Sequence, residues 1–155
     1  MNIIISSVAV IIMMLDSSVA IGSTCKANGK FADHSCTPGV IDSNVTQTNI
    51  HETICVPGYS ASVRPPSSYT GRLKKKQMVL YGLVGKPSDY EEDHLISLAL
   101  GGSSRDPKNL WPELWKYAHE KDKAENRLHK LVCSGKMKLS EAQHIISSDW
   151  TRFSY

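Results

Sequence analysis

Tyr90-Glu91-Glu92-Asp93-His94-Leu95-Ile96-Ser97-Leu98-Ala99-Leu100-Gly101-Gly102, followed by residues 103–108 and then Asn109-Leu110-Trp111-Pro112-Glu113, is the stretch on which the fold of this 155-residue chain turns. Leu95 or Ile96, Leu98 and Leu100 alternate as the inward positions of a short strand do, because successive side chains of a strand point to opposite faces. Gly101-Gly102 permits the positive φ of a turn, and Asn109-Leu110-Trp111 offers a return strand. The expectation is a hairpin that carries Asp93 and His94 near one end and Asn109 at the other.

Two helices are expected on the C-terminal side. Residues 119–133 place Ala124, Leu128, Leu131 and Val132 at i, i+4, i+7 and i+8 and stop at Ser134-Gly135. The next helix begins at Ser140, where Gln143 completes a capping-box pattern, and carries Ala142, Ile145 and Ile146 before Trp150. On the N-terminal side, residues 63–70 hold Pro65-Pro66, which removes backbone donors and fixes φ, so a rigid extended connector is expected. After it, Leu73, Met78, Leu80 and Tyr81 fit a short amphipathic helix whose polar side concentrates Arg72, Lys74, Lys75 and Lys76. Residues 44–59 suggest a short helix and then an extended piece, and residues 21–43 an irregular lead-in in which little function is expected. The sum is one α+β domain over residues 44–155.

Composition agrees with that size. The chain is 41% hydrophobic and 21% charged. That is the balance of a soluble globular domain, and it excludes disorder and several domains. A formal net charge of +3 permits an anionic partner without requiring one. Residues 2–15 are almost uncharged and apolar, over about thirteen positions, short of the roughly twenty that a membrane-spanning helix needs. Ser18 and Ala20 supply the small residues of a cleavage site, so residues 1–20 are read as a signal peptide, although only the α-amino group stands as its positive end. Cleavage after Ala20 removes Asp16 and no basic residue, which raises the net charge from +3 to +4. The product is expected to be secreted or periplasmic, with no stable membrane insertion.

Cys25, Cys36, Cys55 and Cys133 all lie beyond that cut, and an even number in an oxidising compartment favours disulfides. Three connectivities are open; the favoured one joins Cys55 to Cys133, tying the front segment to a late helix, and leaves Cys25 with Cys36. The chain has no Cys-x-x-Cys pair of the kind a zinc knuckle uses. Asn44-Val45-Thr46 is a glycosylation sequon.

The hairpin block resembles the His-Asn-His (HNH) endonucleases, through DHLISLALGG and an Asn-Leu beginning fifteen residues after the His. The chain is also similar to small secreted bacterial HNH-like proteins through TICVPGY, VRPP with YT, NLWPE, KDKAENRLH, LVCSG and EAQHIISSDW, about residues 36–150. The resemblance implies a ββα-metal hairpin-helix core and a metal-dependent endonuclease acting on DNA, or on RNA. By resemblance His94 is the general base, since an imidazole titrating near neutrality can take a proton from the attacking water. Asp93 points to the opposite side of the strand and is the hard anionic ligand for one divalent ion, Mg²⁺, Mn²⁺ or Zn²⁺. Asn109 holds the His-bearing loop or ligates the metal through its carbonyl oxygen.

The helix-borne ligand departs from the family pattern, which places a His about nine residues after the Asn. Here His119 and His129 stand ten and twenty residues on, with Glu125 between them. At roughly 100° per residue, Asp122, Glu125 and His129 line one edge of the Ala124-Leu128-Leu131 face, so Glu125 and His129 are the favoured ligands; His119 is the alternative if the helix starts after it. Arg64, Arg72, Lys74, Lys75 and Lys76 are the expected phosphate contacts. Trp111 and Trp115 follow apolar neighbours and are assigned to packing, while His34, His51 and His144 stand alone and receive no role. The rival reading is a catalytically inactive nucleic-acid-binding or interaction module on the same scaffold. Oligomeric state is open.

Overall fold

β1 (Tyr90–His94) and β2 (Leu110–Leu114) form a two-stranded antiparallel sheet in which Glu91 faces Glu113, Asp93 faces Trp111 and His94 faces Leu110. The computed structural model describes residues 24–155; the signal peptide read over 1–20 lies outside the described residues. Around the sheet stand α1 (Tyr59–Val63), α2 (Ser67–Leu80), α3 (Trp115–Cys133) and α4 (Leu139–Ser148), which makes an α+β domain.

The strand ends at His94, and this corrects the hairpin expected from the sequence. Leu95, Ile96, Leu98 and Leu100 are all buried, so the apolar run does not alternate between a core face and a solvent face. It is a folded-in loop that joins β1 to β2. A buried loop must satisfy its own backbone, and Asn109 does much of this: its Oδ1 accepts the Ile96 N–H at 2.9 Å, while its Nδ2 donates to the carbonyls of Ile96 and Ser103. Leu100 and Gly102 both donate backbone N–H groups to the Ser97 carbonyl. Gly101 adopts φ 74°, and a Cβ on Gly102 would collide with the Ile96 carbonyl and the Asn109 amide. Gly102→Ala is therefore expected to cost at least about 1–3 kcal/mol, the range for forcing a methyl group into a packed site. A shift of the urea midpoint with unchanged slope checks it.

Other boundaries differ for similar reasons. The extended connector ends at Pro66, because a proline suits the start of a helix, where its missing N–H would have had no partner. α2 therefore takes in Ser67 to Thr70. Residues 44–58 form successive turns and contain no helix, yet Val45, Ile50 and Ile54 still reach the core. α3 follows β2 directly, starting at Trp115 where His119 is expected. The capping box at Ser140 does not form: Lys138 precedes the helix, and the Gln143 side chain donates to Leu100 O at 2.9 Å instead.

The main core gathers Val45, Ile50, Ile54, Ile96 and Leu100 against the inner faces of α3 and α4, closed by Trp150. A smaller cluster joins Cys25 and Ala32 of the lead-in to Tyr81, Leu95 and Trp111. Cys25 is joined to Cys36 and Cys55 to Cys133. The lead-in does more than its composition suggests. Gly39 N–H bonds to Lys108 O, Asp42 N–H to Gly101 O and Ser103 N–H to Val40 O, so this segment stitches down the loop that follows His94.

Candidate functional site

The sheet lies between α2 and α3, and its alternation divides the acidic strand YEEDH between them. Glu92 and His94 turn towards α2, where with Arg64, Lys74, Glu91 and Trp115 they line an open pocket of about 380 Å³. Asp93 turns the other way, towards α3.

His94 is only 4% exposed. Its Nε2 lies 3.1 Å from the Ser104 carbonyl oxygen. That oxygen can only accept, so Nε2 carries the proton and Nδ1 the lone pair. Burial pushes the imidazole below its ordinary value; the Ser104 bond and the Asp93 charge pull the other way, and the Arg64 and Lys121 charges add to the lowering. At neutral pH the ring is a neutral base with a fixed tautomer.

Its acidic neighbours have shifted upward. Burial raises Glu91 to about 7, helped by the charges of Asp93 and Asp122. Burial raises Glu92 to about 8 against the opposing pull of Lys74, and both of its carboxyl oxygens are buried without a hydrogen-bond partner among the described residues. Lys74 donates to Tyr90 O at 2.6 Å, which sets its ammonium on the pocket wall. Three consecutive carboxyl residues in a strand must place at least one of them inward, and that was the sequence signal for a buried acid here.

On the other face, Lys121 is 1% exposed. Its ammonium bonds to Asp93 Oδ2 at 2.7 Å, His94 O at 2.8 Å and Glu125 Oε1 at 2.6 Å. All three of its N–H groups are thereby engaged. Burial, the largest single influence, would raise Asp93, but the Lys121 charge together with the side-chain hydrogen bonds from Glu113 and Lys121 and the His94 charge holds the carboxylate below its usual range. Burial and then the Asp93 charge push Glu113 well above the carboxylate range, so it is a neutral acid beside Asp93. Glu125 is likewise raised by burial, with Lys121 opposing. For Lys121 itself burial acts downward, and the surrounding carboxylates more than reverse it.

The metal ligands expected from the sequence do not come together as a set. Asp93 and Glu125 do meet, but across an ammonium. His129 is elsewhere: its Nε2 donates to Ile54 O at 2.9 Å and lies 3.3 Å from Cys133 Sγ. His119 is exposed, with its ring 5.5 Å from that of Trp115 and its Nδ1 3.9 Å from Asp122. Asn109 holds the loop, its carbonyl oxygen accepting the Ile96 N–H. Cys55, His129 and Cys133 bring their ligand atoms within 4.8 Å of one another, but the disulfide ties up both sulfurs. A divalent ion placed beside Lys121 would meet like-charge repulsion of roughly twice the ~4 kcal/mol felt by two unit charges about 4 Å apart at an effective dielectric of 20. As arranged, these residues do not fit a divalent ion.

The positive run is also divided. Arg64 and Lys74 line the pocket, Arg72 and Lys76 flank Tyr69 and Leu73 in a separate recess, and Lys75 is exposed. Trp115, assigned to packing from sequence, is 40% exposed at the pocket and donates to Ser88 O, whereas Trp111 is buried as expected. Lys121 escapes a reading of the sequence because Lys121 and Glu125 look like a surface i, i+4 pair. The buried stripe of α3 is Ala118, Lys121, Ala124, Leu128 and Val132, so the lysine stands on its apolar face, and that spacing was the available signal.

The chain matches no protein-family model, no curated protein and no solved structure. Among the described residues, no helix is long and apolar enough to cross a membrane.

Proposed function

We propose that this chain is an exported phosphodiester hydrolase acting on nucleic acid, DNA first, with His94 as its general base. The observation that carries this reading is the His94 Nε2–H bond to Ser104, which leaves Nδ1 as a fixed proton acceptor in a pocket that also holds Arg64 and Lys74. His94 Nδ1 takes a proton from water, the resulting hydroxide attacks phosphorus, and the P–O bond opposite breaks. Arg64 and Lys74 hold the non-bridging oxygens. Glu92, largely neutral at pH 7, does not repel the phosphate and supplies a proton to the leaving oxygen. The order β1, β2, α3 and the Asn109 side chain that clips the loop after His94 through Ile96 support the HNH resemblance. Two disulfides suit an oxidising, extracytoplasmic location.

The test is plasmid cleavage by the oxidised protein in EDTA and in Mg²⁺, Mn²⁺ or Zn²⁺, run beside His94→Ala. Nicking that disappears in the variant supports the reading. Intact plasmid under every condition, with the protein folded, sinks it in favour of a binding module without turnover. That rival draws its support from Lys121, which takes up the carboxylates a metal would use. Binding has its own prediction: Arg64→Glu lowers the slope of log K against log salt by about 1, the value for one lost phosphate contact, and Lys75→Glu lowers it less. Fluorescence anisotropy of a labelled duplex across a salt series reads both.

A further inference from the structure

Three oxygens of this protein converge on one point. Asp93 Oδ2, His94 O and Glu125 Oε1 lie 2.6–2.8 Å from the Lys121 nitrogen, with the neutral Glu113 carboxyl next to Asp93. They come from the end of β1 and from the body of α3, two elements that the sheet packing holds together. Oxygens only, two of them from carboxylates, are what a hard divalent cation takes, and Ca²⁺ holds such oxygens at about 2.3–2.6 Å. The ammonium therefore stands at the centre of an oxygen cage slightly wider than the one a Ca²⁺ or Mn²⁺ ion would draw in.

We propose that Lys121 is a built-in cation of this fold: its ammonium neutralises Asp93 and Glu125, braces the backbone of His94, and keeps divalent ions out of an oxygen site that loss of the lysine charge would open. The inference stands on the donor geometry and not on hydrolysis, so it can fail or hold independently of the proposed activity. It makes Lys121 a positioning residue, acting on His94 through the carbonyl that it holds.

Mn²⁺ binding followed by electron paramagnetic resonance, with Ca²⁺-dependent thermal shifts alongside, tests it without reference to cleavage. The wild-type protein is expected to leave the free Mn²⁺ signal unchanged and its melting temperature insensitive to Ca²⁺. Lys121→Met, which keeps the stem and drops the charge, is expected to bind Mn²⁺ more tightly by over about tenfold, and Asp93→Asn added to it is expected to remove that gain. Mn²⁺ binding by the wild type that Asp93→Asn abolishes overturns the proposal, because the ammonium would then yield to the ion. A folded Lys121→Met that takes up no Mn²⁺ overturns it as well. Should Lys121→Met fold only with Ca²⁺ present, the proposal is supported. If neither it nor Lys121→Gln folds in Ca²⁺, the proposal fails, since an ion held by these oxygens would restore the missing charge.

Discussion

His94→Ala is expected to lower plasmid cleavage by about 10²–10⁴-fold, the contribution of a positioned proton acceptor. The side chain is buried and its Nε2–H holds the Ser104 carbonyl, so the variant also loses a loop contact. Near-UV circular dichroism and the melting temperature separate that loss from the loss of the base. The pH profile gives a sharper reading. In the proposed hydrolysis His94 works unprotonated, and burial sets its value below the ordinary 6.5, so the rate should rise with pH through a point on the acid side of 6.5 and then level off. Glu92 works protonated and is raised to about 8, so the rate should fall again as pH passes that value. Glu92→Gln is expected to remove the alkaline limb and leave the acid limb in place. A rate whose acid limb is still climbing above pH 6.5 would remove His94 from the role of base.

The stability linkage of the same imidazole has a definite sign. Its folded value is lowered from 6.5. Between that folded value and the ordinary unfolded one, the unfolded chain binds more protons, so this contribution is present above about pH 6.5 and is lost as pH falls. Asp93, also held below its ordinary value, contributes in the same direction at lower pH: its share is present above about 3.9 and lost as pH falls through the folded value. Glu92, on the same side of β1 as His94 and raised from 4.5 to about 8, works in the opposite sense, since the folded chain binds its proton first and its share grows as pH falls through that range.

Much of the scaffold was legible because side-chain chemistry and chain position agreed. Asp93-His94 falls at the end of a strand and Asn109 immediately precedes its partner, since an Asn at that point can clip the loop between them. The run from Leu95 to Leu100 misleads because a buried loop and a half-buried strand share the same apolar residues. What separates them is where the backbone bonds go, and here they go to a side chain thirteen residues further on. The start of α3 is hidden because Leu114 precedes it, with none of the usual capping side chains to mark it. Lys121 escapes for a related reason. On a helix, a lysine four residues before a glutamate reads as a solvated pair until the opposite wall, supplied by Asp93 and the His94 carbonyl, is known.

Removing the Cys55–Cys133 bridge is expected to cost about 4–5 kcal/mol, against about 3 kcal/mol for Cys25–Cys36, because the entropy denied to the unfolded chain grows with the loop closed. The sequence separations are 78 and 11. The larger loop spans α1, α2, both strands and α3, so it contains every residue of the pocket. It also pins residues 44–58, which hold no helix of their own yet send Val45, Ile50 and Ile54 into the main core. With domain stabilities of roughly 5–15 kcal/mol, a loss of that size leaves little margin. Guanidinium unfolding of Cys55→Ala/Cys133→Ala and of Cys25→Ala/Cys36→Ala, each compared with the oxidised wild type, measures the two losses. Equal midpoint shifts would count against the loop-entropy account and would place the value of the late bridge in local packing around His129 and Ile54. A markedly larger shift for the Cys55 pair would mean that the site between β1 and α3 depends on an oxidising compartment for its stability, as an exported protein can expect and a reduced one cannot.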